Sequence, residues 1–229
     1  VVAHASVAAA VRSAMSGATL HEWAARQPGA RGMQGRATAW ATTMPGGVEV
    51  VVRHSRHGGL LAPLTGDLFL APTRAPGELA TAIRLAAAGV PTPEVLGYAI
   101  YPAIGPFVRA DVATRLLRGV ALPEAWKATE SDDDRWALIE LITSLLTSLR
   151  RVGARHPDLN VRNVFIVDGA GAAVLDVDRV EFGAAGDASI AGRNVQRLLR
   201  SMAKARVGVG ADLSSRQVER LNETAGAVA

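Results

Sequence analysis

The sequence contains no cysteine. That absence excludes disulfides, thiolate zinc sites and cysteine nucleophiles, and it accords with a reducing compartment. Lysine is nearly absent as well: Lys127 and Lys204 are the only two, so arginine supplies the rest of the 25 basic side chains. The pI of about 10.3 therefore reflects the choice of arginine more than a charge excess, because the formal net charge is only +4. Aromatic residues make up 4% of the chain, which leaves little material for base stacking. No nucleic-acid partner is expected. No apolar run reaches the ~18–20 residues of a membrane-spanning helix. His4 and Arg12 interrupt the apolar start of the chain, which does not read as a signal peptide. The chain reads as soluble and intracellular.

What is present is a globular composition. The 229 residues are 49% hydrophobic and 20% charged, enough for one large domain or two small lobes with a proper core. Residues 1–30 are Ala-rich and suggest a short helix or two. RATAWATT (36–43) and VEVVVRH (48–54) read as strands around the turn MPGG. GELATAIRLAAAG (77–89) reads as a helix stopped by Gly89, and PTP (91–93) enforces extended chain after it. LGYAIYPAIGPFVRA (96–110) offers two strands around a Gly-Pro turn. From about residue 110 the texture turns helical. The clearest element is residues 131–153, with Ser131 as cap, three aspartates in the first turn, Arg150 and Arg151 in the last, and Gly153 as stop. Leu138, Leu141, Ile142, Leu145 and Leu149 recur at helical spacing and are expected inside. The expectation is an α+β protein of two lobes, β-rich over 1–109 and mainly helical over 110–229.

Directly after that helix comes RHPDLNVRNVFIV (155–167), and then AAVLDVDRV (172–180). Asp158 is followed five residues later by Asn163, and Asp176 stands at the end of an apolar run. Phosphoryl transfer needs positioning and charge neutralisation more than covalent chemistry. One carboxylate must orient the acceptor hydroxyl and take its proton. Magnesium needs oxygen ligands, and shares its shell with phosphates and waters. Asp158 is the candidate base, and Asn163 with Asp176 the candidate metal ligands. Any one of these residues alone would be an ordinary turn former. Their order after a capped helix, with VFIV and AAVLDV as paired strands, favours an ATP- and Mg2+-dependent phosphotransferase.

The upstream parts of such a site have candidates too. VEVVVRH ends in Arg53, a cation placed to hold phosphates, and the helix from residue 77 begins with Glu78, placed to pair with it. Guanidinium binds phosphate and carboxylate through a fork, so arginine can fill the role commonly given to lysine. Gly32 and Gly35 suit a phosphate-facing loop, with Gly35 and Arg36 as nucleotide contacts, although any hairpin could use the same glycines.

Taken together these segments resemble the 3-deoxy-D-manno-octulosonic acid (Kdo) kinases of the lipopolysaccharide kinase group, which have a protein-kinase-like fold. The resemblance runs through GRAT (35–38), VVRHSRHGG (51–59), TRAPGE (73–78), GVPTPEVLG (89–97), RADVATRL (109–116), HPDLNVRN (156–163), LDVDR (175–179) and NVQRLLRSMAK (194–204). It implies ATP- and magnesium-dependent phosphorylation of a Kdo hydroxyl on a lipid A precursor, at the cytoplasmic face of the bacterial inner membrane. By position it implies Asp158 as base, Asn163 and Asp176 as metal ligands, and Arg53 on the phosphates with Glu78 as its partner. The chain departs from the family pattern at Ala37, Ser55 and Val177. Asn160 stands where protein kinases carry lysine, which points away from peptide substrates. Arg193, Arg197, Arg200 and Lys204, at spacings of four, three and four, form a basic stripe suited to an anionic membrane or to lipid phosphates. An ordinary solvated face has the same pattern. The competing readings are another small-molecule kinase, for sugars or aminoglycosides, and a catalytically silent kinase-like binding module.

Overall fold

A computed structural model describes residues 1–33, 39–56, 66–209 and 212–226, with the side chains of 206–209 also outside the description. The chain divides into two compact units, Val1–Ala80 with Glu94–Leu116, and Thr81–Pro93 with Leu117–Ala229. The architecture is mixed α+β, as expected.

The first unit is built on an antiparallel sheet. Its strands are β1 (Val2–Ala3), β2 (Arg31–Met33), β3 (Ala39–Thr43), β4 (Glu49–His54), β5 (Phe69–Leu70), β6 (Val95–Pro102) and β7 (Phe107–Arg115). Their order is β1-β6-β7-β4-β3-β2, with β5 paired to β7. The turn read from MPGG joins β3 to β4: Met44 N–H donates to Val48 C=O, and Gly46 and Gly47 take φ of 98° and 81°. Along β4, Val50 and Val52 point to one face and are fully buried against Leu96 and Ala113. Helices α1 (Ala8–Ala14) and α2 (Leu20–Ala25) cover that face with Val7, Val11, Leu20 and Ala24. Because strand side chains alternate, Arg53 falls on the opposite face. Gly97 is required by close approach, since a Cβ there would sit 2.7 Å from the Val2 carbonyl oxygen on β1.

Helix α3 (Ala75–Ala87) follows β5, and Gly89 takes φ 71° just beyond it. The expected boundary at 109/110 falls inside β7, which runs on to Arg115 between β4 and β6. Ala110 to Ala113 are all buried there. Hydrogen bonding on both edges makes a strand of a segment whose alanines read locally as helix. Residues 81–93 belong with the second unit, where Arg151 Nη2 donates to Ala88 C=O and Val174 N–H to Pro91 C=O.

The second unit is centred on α5 (Asp132–Arg151), preceded by β8 (Gly119–Ala121) and the short helix α4 (Leu122–Lys127). Ser131 caps α5 in a reciprocal box with Asp134. Leu138, Ile139, Ile142, Leu145, Leu146 and Leu149 are buried, while Leu141, expected inside, is half-exposed. Each of those aliphatic side chains stabilises by ~1.5–3 kcal/mol on full burial. They pack on α6 (Ala188–Val209), through Val195, Leu198 and Met202, and on α7 (Ser215–Glu223). Arg220 on α7 reaches both carboxylate oxygens of Glu140 on α5, at 2.7 and 2.8 Å.

Gly153 ends α5 with φ 64°. A Cβ there would meet the Ala184 carbonyl oxygen at 2.4 Å, so the sharp reversal depends on glycine. The reversal delivers β9 (Ala154–Arg155) to pair with β12 (Glu181–Phe182) and leads straight into residues 156–163. A 3₁₀ turn (Val161–Asn163) then feeds the hairpin of β10 (Val164–Val167) and β11 (Gly171–Val174).

Candidate active site

In the second unit, the pairing of Val164 with Val174 continues one rung further: Leu175 N–H donates to the Asn163 carbonyl at 2.9 Å. That rung brings the Asn163 backbone next to the residue before Asp176. Asp176 itself takes φ 58° and ψ 54°, the one non-glycine at positive φ among the described residues. Left-handed backbone disfavours most side chains, Asp and Asn less than others, and a residue held there is a pointer to function. The strand read from AAVLDV therefore stops at Val174, because Asp176 turns out of the ladder into a second 3₁₀ turn, Val177–Arg179. Val177, a departure from the family pattern, is buried.

The loop that carries Asp158 is fixed through its backbone. Asn160 Nδ2 and Asn163 Nδ2 both donate to the Asp158 carbonyl at 2.9 Å, and Asn160 Oδ1 accepts Arg162 N–H. Asn160 is thus the cap that shapes the loop. Beneath it lies the fully buried His156, whose Nε2 donates to the Leu175 carbonyl at 3.0 Å and ties the loop to the Asp176 segment. His156 N–H donates to Asn194 Oδ1 at 2.9 Å, and Asn194 Nδ2 donates to Ala154 C=O at 2.8 Å. Two turns further along α6, Ser201 Oγ accepts Val161 N–H. Sequence reading missed Asn194 and Ser201. The signal for Asn194 was its place on the apolar face of α6, four residues before Leu198.

The Asp158 carboxylate is about a third exposed, and its Oδ1 accepts a 2.7 Å hydrogen bond from Arg197 Nη2. This corrects the stripe reading at one position. Arg193, Arg200 and Lys204 are exposed on α6, whereas Arg197 is turned onto Asp158. An ion pair with a carboxylate on the loop packed against α6 outcompetes solvent for a guanidinium that can reach it.

The donor set suits magnesium. The Asn163 amide nitrogen is committed to the Asp158 carbonyl, so its oxygen is the end presented to a cation. Asp176 makes no capping bond with its side chain. Among the described residues no three His, Cys, Asp or Glu side chains converge as a complete metal cage. Mg2+ is characteristically held by one or two protein oxygens together with substrate phosphates and water.

In the first unit, Arg53 Nη2 forms an ion pair with Glu78 Oε1, the partnership expected from the sequence, with Glu78 buried in the first turn of α3. Gly35, Arg36 and Ala37 lie outside the described residues. Next to Arg53 the sequence concealed a further cluster. His54 Nδ1 contacts Asp111 at 2.5 Å, and His54 Nε2 contacts Asp67 at 2.9 Å, where Arg109 Nε also donates at 2.8 Å. Asp111 has no solvent exposure, and its other oxygen accepts His21 N–H at 2.9 Å. The neighbouring N–H of Leu20 donates to Tyr101 Oη at 2.7 Å. Two amides at the N-terminus of α2 thereby find tertiary partners, and the helix is bolted to β6 and β7, the second of which pairs with the strand that carries Arg53.

The charges in this cluster respond to each other. The hydrogen bond to Asp111 raises the His54 pKa above its usual value, outweighing burial, and Asp67 adds to the rise. For Asp67, burial pushes upward, but the hydrogen bonds from His54 and Arg109 together bring its carboxyl below the usual range. Burial, then the Asp111 charge, pushes the Tyr101 phenol well up. With both ring nitrogens on carboxylates, the imidazolium form of His54 is favoured. A raised folded pKa contributes stability that is complete below ~6.5, the unfolded value, and fades as pH rises through the folded one. The urea midpoint of the first unit should therefore fall on going from pH 6 to pH 9, and His54→Gln should flatten that slope. An unchanged slope in the variant would assign the dependence elsewhere.

The known proteins similar to this chain agree with one another. The model of the lipopolysaccharide kinase (Kdo/WaaP) family matches residues 21–224. A 3-deoxy-D-manno-octulosonic acid kinase of Xylella fastidiosa (strain 9a5c) is 30% identical over 196 residues, covering 82% of this chain and 74% of the relative. One from Vibrio vulnificus (strain YJ016) is 28% identical over 190 residues, covering 81% and 78%. A solved structure of WaaP in complex with acyl carrier protein superposes with a TM-score of 0.58 at 18% identity, over 94% of this chain and 85% of that one, which shows a shared kinase-like fold. With a match across nine-tenths of its length and the fold to go with it, the chain belongs to the lipopolysaccharide kinase (Kdo/WaaP) family.

Proposed function

We propose that the chain is an ATP-dependent Kdo kinase, transferring phosphate to a hydroxyl of Kdo in the lipopolysaccharide inner core. Membership of the family supports the reaction class, and the relatives described as Kdo kinases support the acceptor. The observation that carries the mechanism is the convergence of His156, Asn163 and Leu175, which sets the Asp158 loop against the Asp176 turn. Asp158 orients the acceptor hydroxyl and takes its proton as the oxygen attacks. Asn163 and Asp176 supply the protein oxygens for Mg2+, which when bound neutralises charge on the transferred phosphoryl group. Arg53, held by Glu78, binds ATP phosphates. In this reading the first unit is the nucleotide-binding part and the second the catalytic one.

No helix among the described residues is long and apolar enough to cross a membrane. Peripheral attachment to the cytoplasmic face of the inner membrane rests on Arg193, Arg200 and Lys204, each worth ~1 kcal/mol near an anionic surface. Charge reversal at those three positions should release the protein from anionic liposomes. Retention there would end the membrane proposal and leave the kinase untouched.

The decisive experiment incubates the protein with ATP, Mg2+ and a Kdo-bearing lipid A precursor, and reads the acceptor by mass. A gain of one phosphate is expected. Transfer to aminoglycosides or free sugars instead would replace the acceptor. Absence of any Mg2+-dependent ATP turnover would make the chain a kinase-like binding module.

A further inference from the structure

Arg197 stands where a substrate-reading residue would be needed. It lies on the stretch of α6 between Asn194 and Ser201, both of which hold the backbone of the Asp158 loop, so its position over that loop is fixed from both sides. One nitrogen donates to Asp158 Oδ1. The Nε–H is buried with no partner, while the side chain as a whole remains 42% exposed. Among five N–H donors, Arg197 thus uses one on Asp158 and retains an unpartnered one beside it. Buried N–H groups without partners are rare, and one next to a candidate catalytic carboxylate points to a missing acceptor.

The chemistry of the proposed substrate supplies that acceptor. Kdo is a sugar acid, so a carboxylate accompanies the hydroxyls on the same monosaccharide. Any hydroxyl that reaches Asp158 brings the carboxylate within a ring's length of it. Two negative charges that close repel strongly unless a cation lies between them. Guanidinium is the group best shaped for the task, because its planar fork can donate to two carboxylates at once. We propose that Arg197 recognises the carboxylate of the acceptor and holds it beside Asp158, making the enzyme selective for sugar acids. This rests on the reading of Asp158 as the base.

The test compares the Kdo-bearing lipid A precursor with the same acceptor whose Kdo carboxyl is a methyl ester. The wild type should prefer the acid by about a hundredfold in kcat/KM, the usual penalty for losing one partner of a charged hydrogen-bonded pair. Arg197→Gln should lose about a hundredfold on the acid, mainly through KM, and only a few-fold on the ester, so the preference collapses. Arg197→Lys should recover part of it. Equal losses on acid and ester would mean that Arg197 only orients Asp158, and the proposal would fall. A wild type indifferent to esterification would overturn it without any variant, even if Arg197→Gln did not fold. Asp158→Asn separates the two readings: full activity there removes the base assignment, whereas an inactive Asp158→Asn with preference retained in Arg197→Gln removes only this inference.

Discussion

Asp158→Asn is expected to lower phosphoryl transfer by roughly 10²–10⁴-fold while leaving the fold intact. The substitution is informative because the loop is held by the main chain of residue 158. Asn160 and Asn163 donate to its carbonyl oxygen, which the change does not touch. An asparagine oxygen can still accept from Arg197, so no buried partner is stranded. What disappears is the proposed proton acceptor. Turnover should therefore collapse with the thermal midpoint shifted by no more than a few degrees, measured side by side on the same preparation. A variant that keeps turnover within a few-fold of the wild type would remove Asp158 from the chemistry.

The largest effect on stability is expected at Asn194. Its amide satisfies two buried main-chain groups, His156 N–H and Ala154 C=O, and all three residues are essentially without solvent exposure. Asn194→Leu keeps the branched outline of the side chain but strands both groups. At ~1–3 kcal/mol for each orphan, the second unit should lose about 2–6 kcal/mol. Gln196→Leu, two residues away on the exposed face, should change stability by less than ~0.5 kcal/mol. Urea unfolding of the two variants makes the comparison. Activity should fall in Asn194→Leu as well, since the same amide sets the course of the chain into Asp158. Equal stability for both variants would show that the loop finds other partners.

Several parts of this site are legible from residue order alone. Ser131 with the aspartates after it, the leucine and isoleucine spacing of α5, and Gly153 locate the helix and its end to within about a residue. Capping and periodicity are local, and the side chains involved are neighbours along the chain. The Arg53–Glu78 pair was also legible, because both residues occupy recognisable positions, the end of a strand and the first turn of a helix. The end of β7 was not. Residues 110–115 mix alanine with Val112 and Thr114 and carry weak local preference, and pairing with β4 and β6 decides their conformation.

The sequence by itself determined the class of chemistry, through Asp158, Asn163 and Asp176 at their spacings after a capped helix, together with the family those segments resemble. Tertiary structure alone decided what surrounds them. Arg197 reads along the chain as one member of a basic stripe, yet folding turns it onto a carboxylate 39 residues away. Asn194 reads as an interruption of an apolar face, and becomes the support of the Asp158 loop. His54 reads as one histidine in a basic run, and becomes a ring clamped between Asp67 and Asp111. The physical reason is the same in each case. A charged or amide side chain commits to the strongest partner within reach, and reach is set by packing of distant segments rather than by neighbours in sequence.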